Sequence, residues 1–333
     1  MAYIPKQYLR DTVVMYHRAC NDGIASAWVA YGHFGEDADY IAWQYGDIMP
    51  DLFGKKVFLV DLSFTVEQIQ FLRDHVQFIM IIDHHKSAIE KLQYRYPECT
   101  AISDLPVMVM KHDPCPVFIY ADIKHSGAVL TWRFFNDIGS LHYMGAIDVQ
   151  VPEVLLWIED YDLWKHHIPE GKALNAWLIN GPLTIERFNE VATATGDARM
   201  HIVNQGNMLM AYDDKIISSV IREYIQLIDI GGVEVPFVNA PHHLRNEIGD
   251  RLGKKYPYVV LYTERNGKTI YSLRSSDWPV DQIAAANGGG GHAFASAFAK
   301  DHTWLETYKH SMIYGAPTWL YRLKTIWRIL RGN

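Results

Sequence analysis

Five apolar residues, Phe78 to Ile82, run directly into Asp83-His84-His85. An uninterrupted apolar run of that length suits a strand buried on both faces, as in the middle of a parallel sheet. The strand then delivers three consecutive polar side chains just past its end. The same arrangement recurs along the first half of the chain, where Thr12 to Tyr16 precedes His17 and Val57 to Val60 precedes Asp61. Tyr40 to Trp43 reads as a further strand, and Asp22 to Phe34, Thr65 to Arg73 and Ser126 to Asn136 read as helices. Strands alternating with helices predict an α/β fold with a doubly wound, mostly parallel sheet. Such sheets bind ligands beyond the carboxyl ends of their strands, where His17, Asp61 and Asp83 fall.

A chain of 333 residues is long for one core and predicts two domains. Small residues at Ala192, Thr193, Ala194, Thr195 and Gly196 mark a break, giving an N-terminal domain over 1–185 and a helical connector over 186–230. A smaller C-terminal α/β domain over 231–312 opens with a hairpin, Tyr258 to Tyr262 and Thr269 to Leu273 about Asn266-Gly267. Gly288 to Gly291 follows, and the small residues from His292 to Ala299 read as helical. The last segment, 313–333, carries Trp319, Leu323, Ile326, Trp327 and Leu330 at helical spacing among Arg322, Lys324, Arg328 and Arg331. It is expected to dock on the body or on a second copy of the chain.

The net charge of -7 argues against a protein that coats nucleic acid through bulk positive charge. The expected compartment is the cytoplasm, because there is no apolar run of membrane-spanning length and no apolar stretch in Met1 to Arg10. Cys20, Cys99 and Cys115 contain no Cys-x-x-Cys pair, which disfavours a disulfide framework or a thiolate zinc site.

Four separated segments place metal-ligand types at strand ends or helix starts: His17 with Asp22, Asp61, Asp83-His84-His85, and Asp160 with Asp162. Taken singly, each reads more simply as a helix cap or a hydrogen-bonded core residue. Together at one sheet edge they crowd like charges, a cost that a divalent cation or a pair of them relieves.

The string from Phe78 to His85 resembles the signature segment of the DHH phosphoesterases. Tyr16 to Gly23 resembles their first motif, Val60-Asp61 the second, and Ile158-Glu159-Asp160 the fourth. Gly288-Gly289-Gly290-Gly291-His292 is similar to the glycine-rich motif of the accessory DHHA1 domain, so the resemblance spans roughly residues 12 to 300. It implies two bound divalent cations, most simply Mn2+. Asp61 would be the bridging ligand, Asp22, His84 and Asp160 would complete one site, and His17 would serve the other. Asp162 is the alternative to Asp160. Asp83 would orient His84 from behind, and His85 would face the substrate phosphate. Arg274 and Ser275 with Gly289, Gly290, Gly291 and His292 would bind the substrate, the glycine amides leading into a helix and Arg274 gripping a phosphate.

One departure from the family pattern stands out. The first motif commonly carries two aspartates one residue apart, and here the earlier position is Cys20, with His17 one residue closer to the pair. Cys20 is read as an inert side chain packed beside Ala19, with a soft metal ligand as the alternative. The resemblance is to the oligoribonuclease branch. The expected activity is therefore cation-dependent hydrolysis of short RNA or DNA oligonucleotides to mononucleotides, without a covalent intermediate. The rival readings are a cyclic or linear dinucleotide phosphodiesterase, a 3',5'-bisphosphate nucleotide phosphatase, and a nucleotide-binding protein with a degenerate metal site.

Overall fold

A computed structural model describes residues 9–95, 117–142, 150–230, 232–265 and 267–301. Cys99, Cys115 and the predicted helix over 313–333 lie outside the described residues. The chain divides into two compact units, Met1–Met210 and Ala211–Asn333.

In chain order, the first unit contains β1 (Thr12–His17), α1 (Asn21–Phe34), β2 (Ala38–Trp43), β3 (Lys56–Val60), α2 (Val66–Leu72), β4 (Phe78–Asp83), α3 (Lys86–Arg95), β5 (Val117–Ala121), α4 (Gly127–His142), α5 (Glu153–Asp162), α6 (Pro169–Ile179) and α7 (Ile185–Thr193). The long α8 (Gly196–Glu223) carries the division between the units. The sheet order is β2-β1-β3-β4-β5 and all four pairings are parallel. The chain reverses its direction of winding between β1 and β3, so the carboxyl ends of those strands flank the crevice where such sheets bind ligands.

Successive strand residues serve opposite cores. Val14, Phe58, Val60, Met80 and Ile82 pack with Ile24 and Val29 of α1 and Phe134 of α4. Val13, Met15, Val57, Leu59, Ile79 and Ile81 pack on the other face with Ile69 and Leu72 of α2 and Leu92 of α3. Burying both faces explains why these strands read as continuous apolar runs, and each fully buried Ile or Leu contributes about 1.5–3 kcal/mol. The α2 helix starts at a capping box, in which Thr65 accepts from Gln68 N and the Gln68 side chain accepts from Thr65 N.

The second unit is built on β6 (Gln226–Ile230), β7 (Val233–Asn239), α9 (Arg245–Gly253), β8 (Val259–Arg265), β9 (Lys268–Arg274), α10 (Asp281–Ala286), β10 (Gly290–His292) and β11 (Ala295–Asp301). Its six strands run in the order β10-β11-β9-β8-β7-β6, antiparallel except for β7 beside β8. Two expectations change here. The end of the predicted connector is strand β6, and the predicted helix over His292 to Ala299 is largely strand. In β11, Ser296 and Phe298 are buried while Ala295 and Ala297 are less so, an alternation that pairing with β9 imposes over the helical preference of alanine.

Candidate metal centre

β1 ends at His17, and the turn that follows puts Ala19 at φ 57 before α1 begins. Asp22 sits in the first turn of α1 and is buried. Its carboxylate reaches across to the start of α4, where Oδ2 accepts from Gly127 N at 2.6 Å and Oδ1 from Ala128 N at 3.0 Å. Asp22 therefore caps a helix distant in sequence, at the end where the helix dipole favours negative charge. Burial and the charges of Asp61 and Asp162 push its carboxyl well above the usual carboxylate range.

Asp61 leaves β3 with φ 52, a left-handed conformation uncommon for a residue with a Cβ. It is 1 % exposed, and neither carboxylate oxygen receives a hydrogen bond. The nearest ring nitrogens stand off, His84 Nε2 at 3.3 Å from Oδ1 and His17 Nδ1 at 3.7 Å from Oδ2. A buried ionised carboxylate without donors is costly. Burial alone would raise its pKa, but the imidazoles of His17 and His84 outweigh burial and hold it well below the ordinary value.

His84 is buried and presents one nitrogen to three carboxylates. Nε2 lies 3.3 Å from Asp61 Oδ1, 3.6 Å from Asp162 Oδ2 and 3.7 Å from Asp22 Oδ2. Against burial, those three acidic neighbours push its pKa up to about 11. Asp83, at the end of β4, organises the turn after it. Oδ1 accepts from His84 N at 2.8 Å and from His85 N at 3.3 Å, and stands 2.7 Å from His85 Nδ1. Oδ2 accepts from Ser63 Oγ at 2.5 Å. The ring that Asp83 orients is thus that of His85; its hold on His84 is through the backbone amide. Burial opposes but Asp83 and Asp61 prevail in raising His85 to about 9. The half-exposed His17 and His85 rings meet edge to face, with centroids 6.0 Å apart, at the open side of the cluster.

Asp160 lies apart from this cluster. Its oxygens accept from His167 N at 3.0 Å and Ile168 N at 2.9 Å, closing the loop after α5. Asp162 is the acidic residue of that segment that stands beside His84. Two residues apart on a helix means about 200° of rotation, so both cannot face one point. Asp160→Ala is expected to lower stability by about 1–2 kcal/mol through two lost amide acceptors, with cation affinity nearly unchanged. Asp162→Ala is expected to weaken cation affinity roughly tenfold with little loss of stability, since water can replace a partly exposed oxygen. Paired melting curves with and without cation read both effects.

Three sets of side chains could hold a cation, with donor atoms within 4.8 Å of one another: Asp22, His84 and Asp162; His17, Cys20 and Asp61; and Asp61, Asp83, His84 and His85. Asp61 belongs to two of them. Ser63, which no motif includes, anchors Asp83. Gly127, whose segment Ser126-Gly127 reads most simply as a helix cap and also resembles a family segment near the active site, packs so closely that a Cβ there would lie 2.6 Å from Asp61 Cβ. Gly23 is similarly confined, with a Cβ meeting His17 O at 2.2 Å.

In the second unit, Arg274 ends β9 with Nε and Nη2 at 3.0 and 2.8 Å from Asn246 Oδ1 and Nη1 at 2.9 Å from Leu273 O. Burial, and next the Arg245 guanidinium, lower its pKa to about 10. Ser275 is committed to its own turn, donating to Pro257 O at 2.6 Å and accepting from Trp278 N at 2.8 Å. The glycine segment follows α10 instead of leading into a helix. Gly289 N donates to Ala284 O at 2.8 Å, Gly290 and Gly291 open β10, and His292 is exposed. A Cβ at Gly289 would meet Ala297 O at 2.1 Å, so close strand packing by itself requires glycine there.

A parallel sheet of order β2-β1-β3-β4-β5, with carboxylates and imidazoles gathered at its carboxyl edge, defines a doubly wound α/β fold. The chain shares this fold with a solved DHH domain from a member of the s1p family of ribosomal proteins, at TM-score 0.50 and 13% identity over 90% of this chain and 84% of that one. A pGpG-specific phosphodiesterase, PggH from Vibrio cholerae, aligns over 91% of this chain and 98% of its own, with 13% identity and a TM-score of 0.47. An uncharacterized protein of Acanthamoeba polyphaga mimivirus is 24% identical over 314 residues, 86% of this chain and 67% of its own length. No family model matches the chain. Among the described residues, no helix is long and apolar enough to cross a membrane.

Proposed function

We propose that the first unit is a cation-dependent phosphodiesterase that hydrolyses short oligonucleotides to mononucleotides. One observation carries the reading: Asp61 is buried with both oxygens unbonded, between His17 on one side and His84, Asp22 and Asp162 on the other. Imidazole and carboxylate suit Mn2+ and related ions, and the donor set fits two of them with Asp61 shared. Such cations lower the pKa of water and offset charge that develops on a phosphoryl group.

The chain's own residues supply the rest. Asp83 fixes the His85 ring and favours its protonated form. His85 would donate to a phosphoryl oxygen entering over the His17 and His85 edge. In the second unit Arg274 uses three of its five N–H donors internally, leaving two for an anionic group of the nucleotide. Gly290, Gly291 and His292 border the start of β10 and, with Arg274, make up the nucleotide-binding surface proposed for the second unit, with Ser275 supporting it from the turn.

The test is incubation of the purified chain with Mn2+ and a panel of di- to decanucleotides of RNA and DNA, cyclic dinucleotides and adenosine 3',5'-bisphosphate, with products resolved over time. Mononucleotide release that disappears in Asp61→Ala is the expected result. Phosphate release from the bisphosphate alone would overturn the substrate class, and turnover undiminished by chelation would overturn the cation dependence. Binding should also be visible without turnover. At about 100 times its Kd, Mn2+ should add ~2.7 kcal/mol of stability. For a unit of this size that is roughly 5–10 °C in Tm, reversed by a chelator.

A further inference from the structure

We propose that Cys20 is a thiolate ligand, so that His17, Cys20 and Asp61 form a pocket for a soft divalent cation of the Zn2+ or Fe2+ class, distinct in preference from the harder Asp22, His84 and Asp162 set. The inference rests on the cation-binding reading of the centre and assigns chemistry to one half of it.

Three observations support it. Donor atoms of His17, Cys20 and Asp61 lie within 4.8 Å of one another, a spacing compatible with ligands each about 2.0–2.3 Å from one ion. The Asp61 carboxylate is the independent pointer, because it is 1 % exposed and unbonded at both oxygens. Oδ1 is the oxygen nearest His84, and Oδ2 is paired with His17. Its two oxygens therefore serve two unlike donor sets. Finally, the start of α1 places Cys20 beside Asp61. Cys20 is the residue before α1, with extended backbone at φ -128 and ψ 135, yet its side chain makes no capping hydrogen bond. Nor does it pack as expected, since Ala19 is exposed and Cys20 only partly buried. The position is one where Ser, Asp or Asn would ordinarily cap the helix.

Thiolate and imidazole shift preference toward Zn2+ and Fe2+, whereas the carboxylate-rich half favours Mn2+ or Mg2+. On binding, the Cys20 S–H bond breaks, its proton passes to solvent, and the sulfur electron pair forms the bond to the cation. No oxidant or reductant is involved.

The test is a titration of the full-length reduced chain with Co2+ under anaerobic conditions, read by absorption. A near-ultraviolet thiolate-to-cobalt charge-transfer band is expected in the wild type. It should persist in the Cys99→Ser/Cys115→Ser double variant and vanish in Cys20→Ser. In a second measurement, metal content is determined after equilibration with equal Zn2+ and Mn2+. Cys20→Asp should lower the bound Zn2+ to Mn2+ ratio at least about tenfold. Co2+ that binds stoichiometrically without the band in the wild type overturns the Cys20 assignment and leaves the cation centre standing. Failure of every cation to bind overturns both. Absence of the band from the wild type decides against Cys20 without recourse to any variant, and a band is assigned to Cys20 by its persistence in the double variant.

Discussion

Asp61→Asn is expected to lower kcat by on the order of 10³-fold or more while leaving the fold intact. The substitution keeps the volume of the side chain in a site that tolerates no growth, and it removes the one charge placed between two donor sets. In the absence of cations the region already balances poorly. Asp22 and Asp162 are both pushed above the ordinary carboxylate range, by burial first and by Asp61 next, and the His84 ring stands among the three carboxylates. An amide at position 61 relieves that repulsion, so the cation-free variant should melt no lower than about 1 kcal/mol below the wild type. What it loses is the response to cation, so the Tm rise with Mn2+ should shrink to less than half. Turnover within tenfold of wild type, with an undiminished Mn2+ shift, would falsify the assignment of Asp61 as the shared ligand.

Part of this centre was legible because strand-end geometry is legible. Apolar runs of four or five residues fixed β1, β3 and β4 to within a residue or so, and the residue after each run had to emerge at one sheet edge. The shared strand ends bring His17, Asp61 and Asp83-His84-His85 together from pattern alone. Pattern works less well where helix rotation decides the outcome. Asp160 and Asp162 share a helix end, and which of them faces His84 depends on the angle at which α5 meets the sheet, a tertiary quantity absent from local pattern. The loop after α5, with Trp164 at φ 58 and His166 at φ 53, then folds back so that its amides claim Asp160. β5 was overlooked despite an available signal, five apolar or aromatic residues between Pro116 and Asp122. The glycine-rich segment misled for a different reason. Glycines before a run of alanines suggest a loop entering a helix, but the partner strand β9 had already set the pairing, and the glycines admit β11 at close range.

Gly127→Ala is expected to cost about 10²-fold in activity, although Gly127 carries no functional group and lies more than forty residues from either motif it supports. At the first position of α4 alanine should be favourable by up to about 1 kcal/mol on helix propensity alone. Space decides otherwise. The added Cβ would meet Asp61 Cβ at 2.6 Å and both Asp61 Cα and Oδ1 at 2.9 Å, and these are backbone and short-chain atoms that cannot swing aside. Either α4 retreats or the turn at Asp61 moves, and each breaks something. A retreat of α4 lengthens the 2.6 Å bond from Gly127 N to Asp22 Oδ2, while a shift at Asp61 displaces a carboxylate already held at φ 52. Overpacking of this kind costs about 1–3 kcal/mol, and a displacement near 1 Å at a reacting centre costs about 10²-fold. The distinguishing measurement is kcat together with the Mn2+ dependence of Tm. The variant should lose both more than it loses cation-free stability, whereas an alanine variant that is equally active and melts higher would mean that α4 does not press on Asp61.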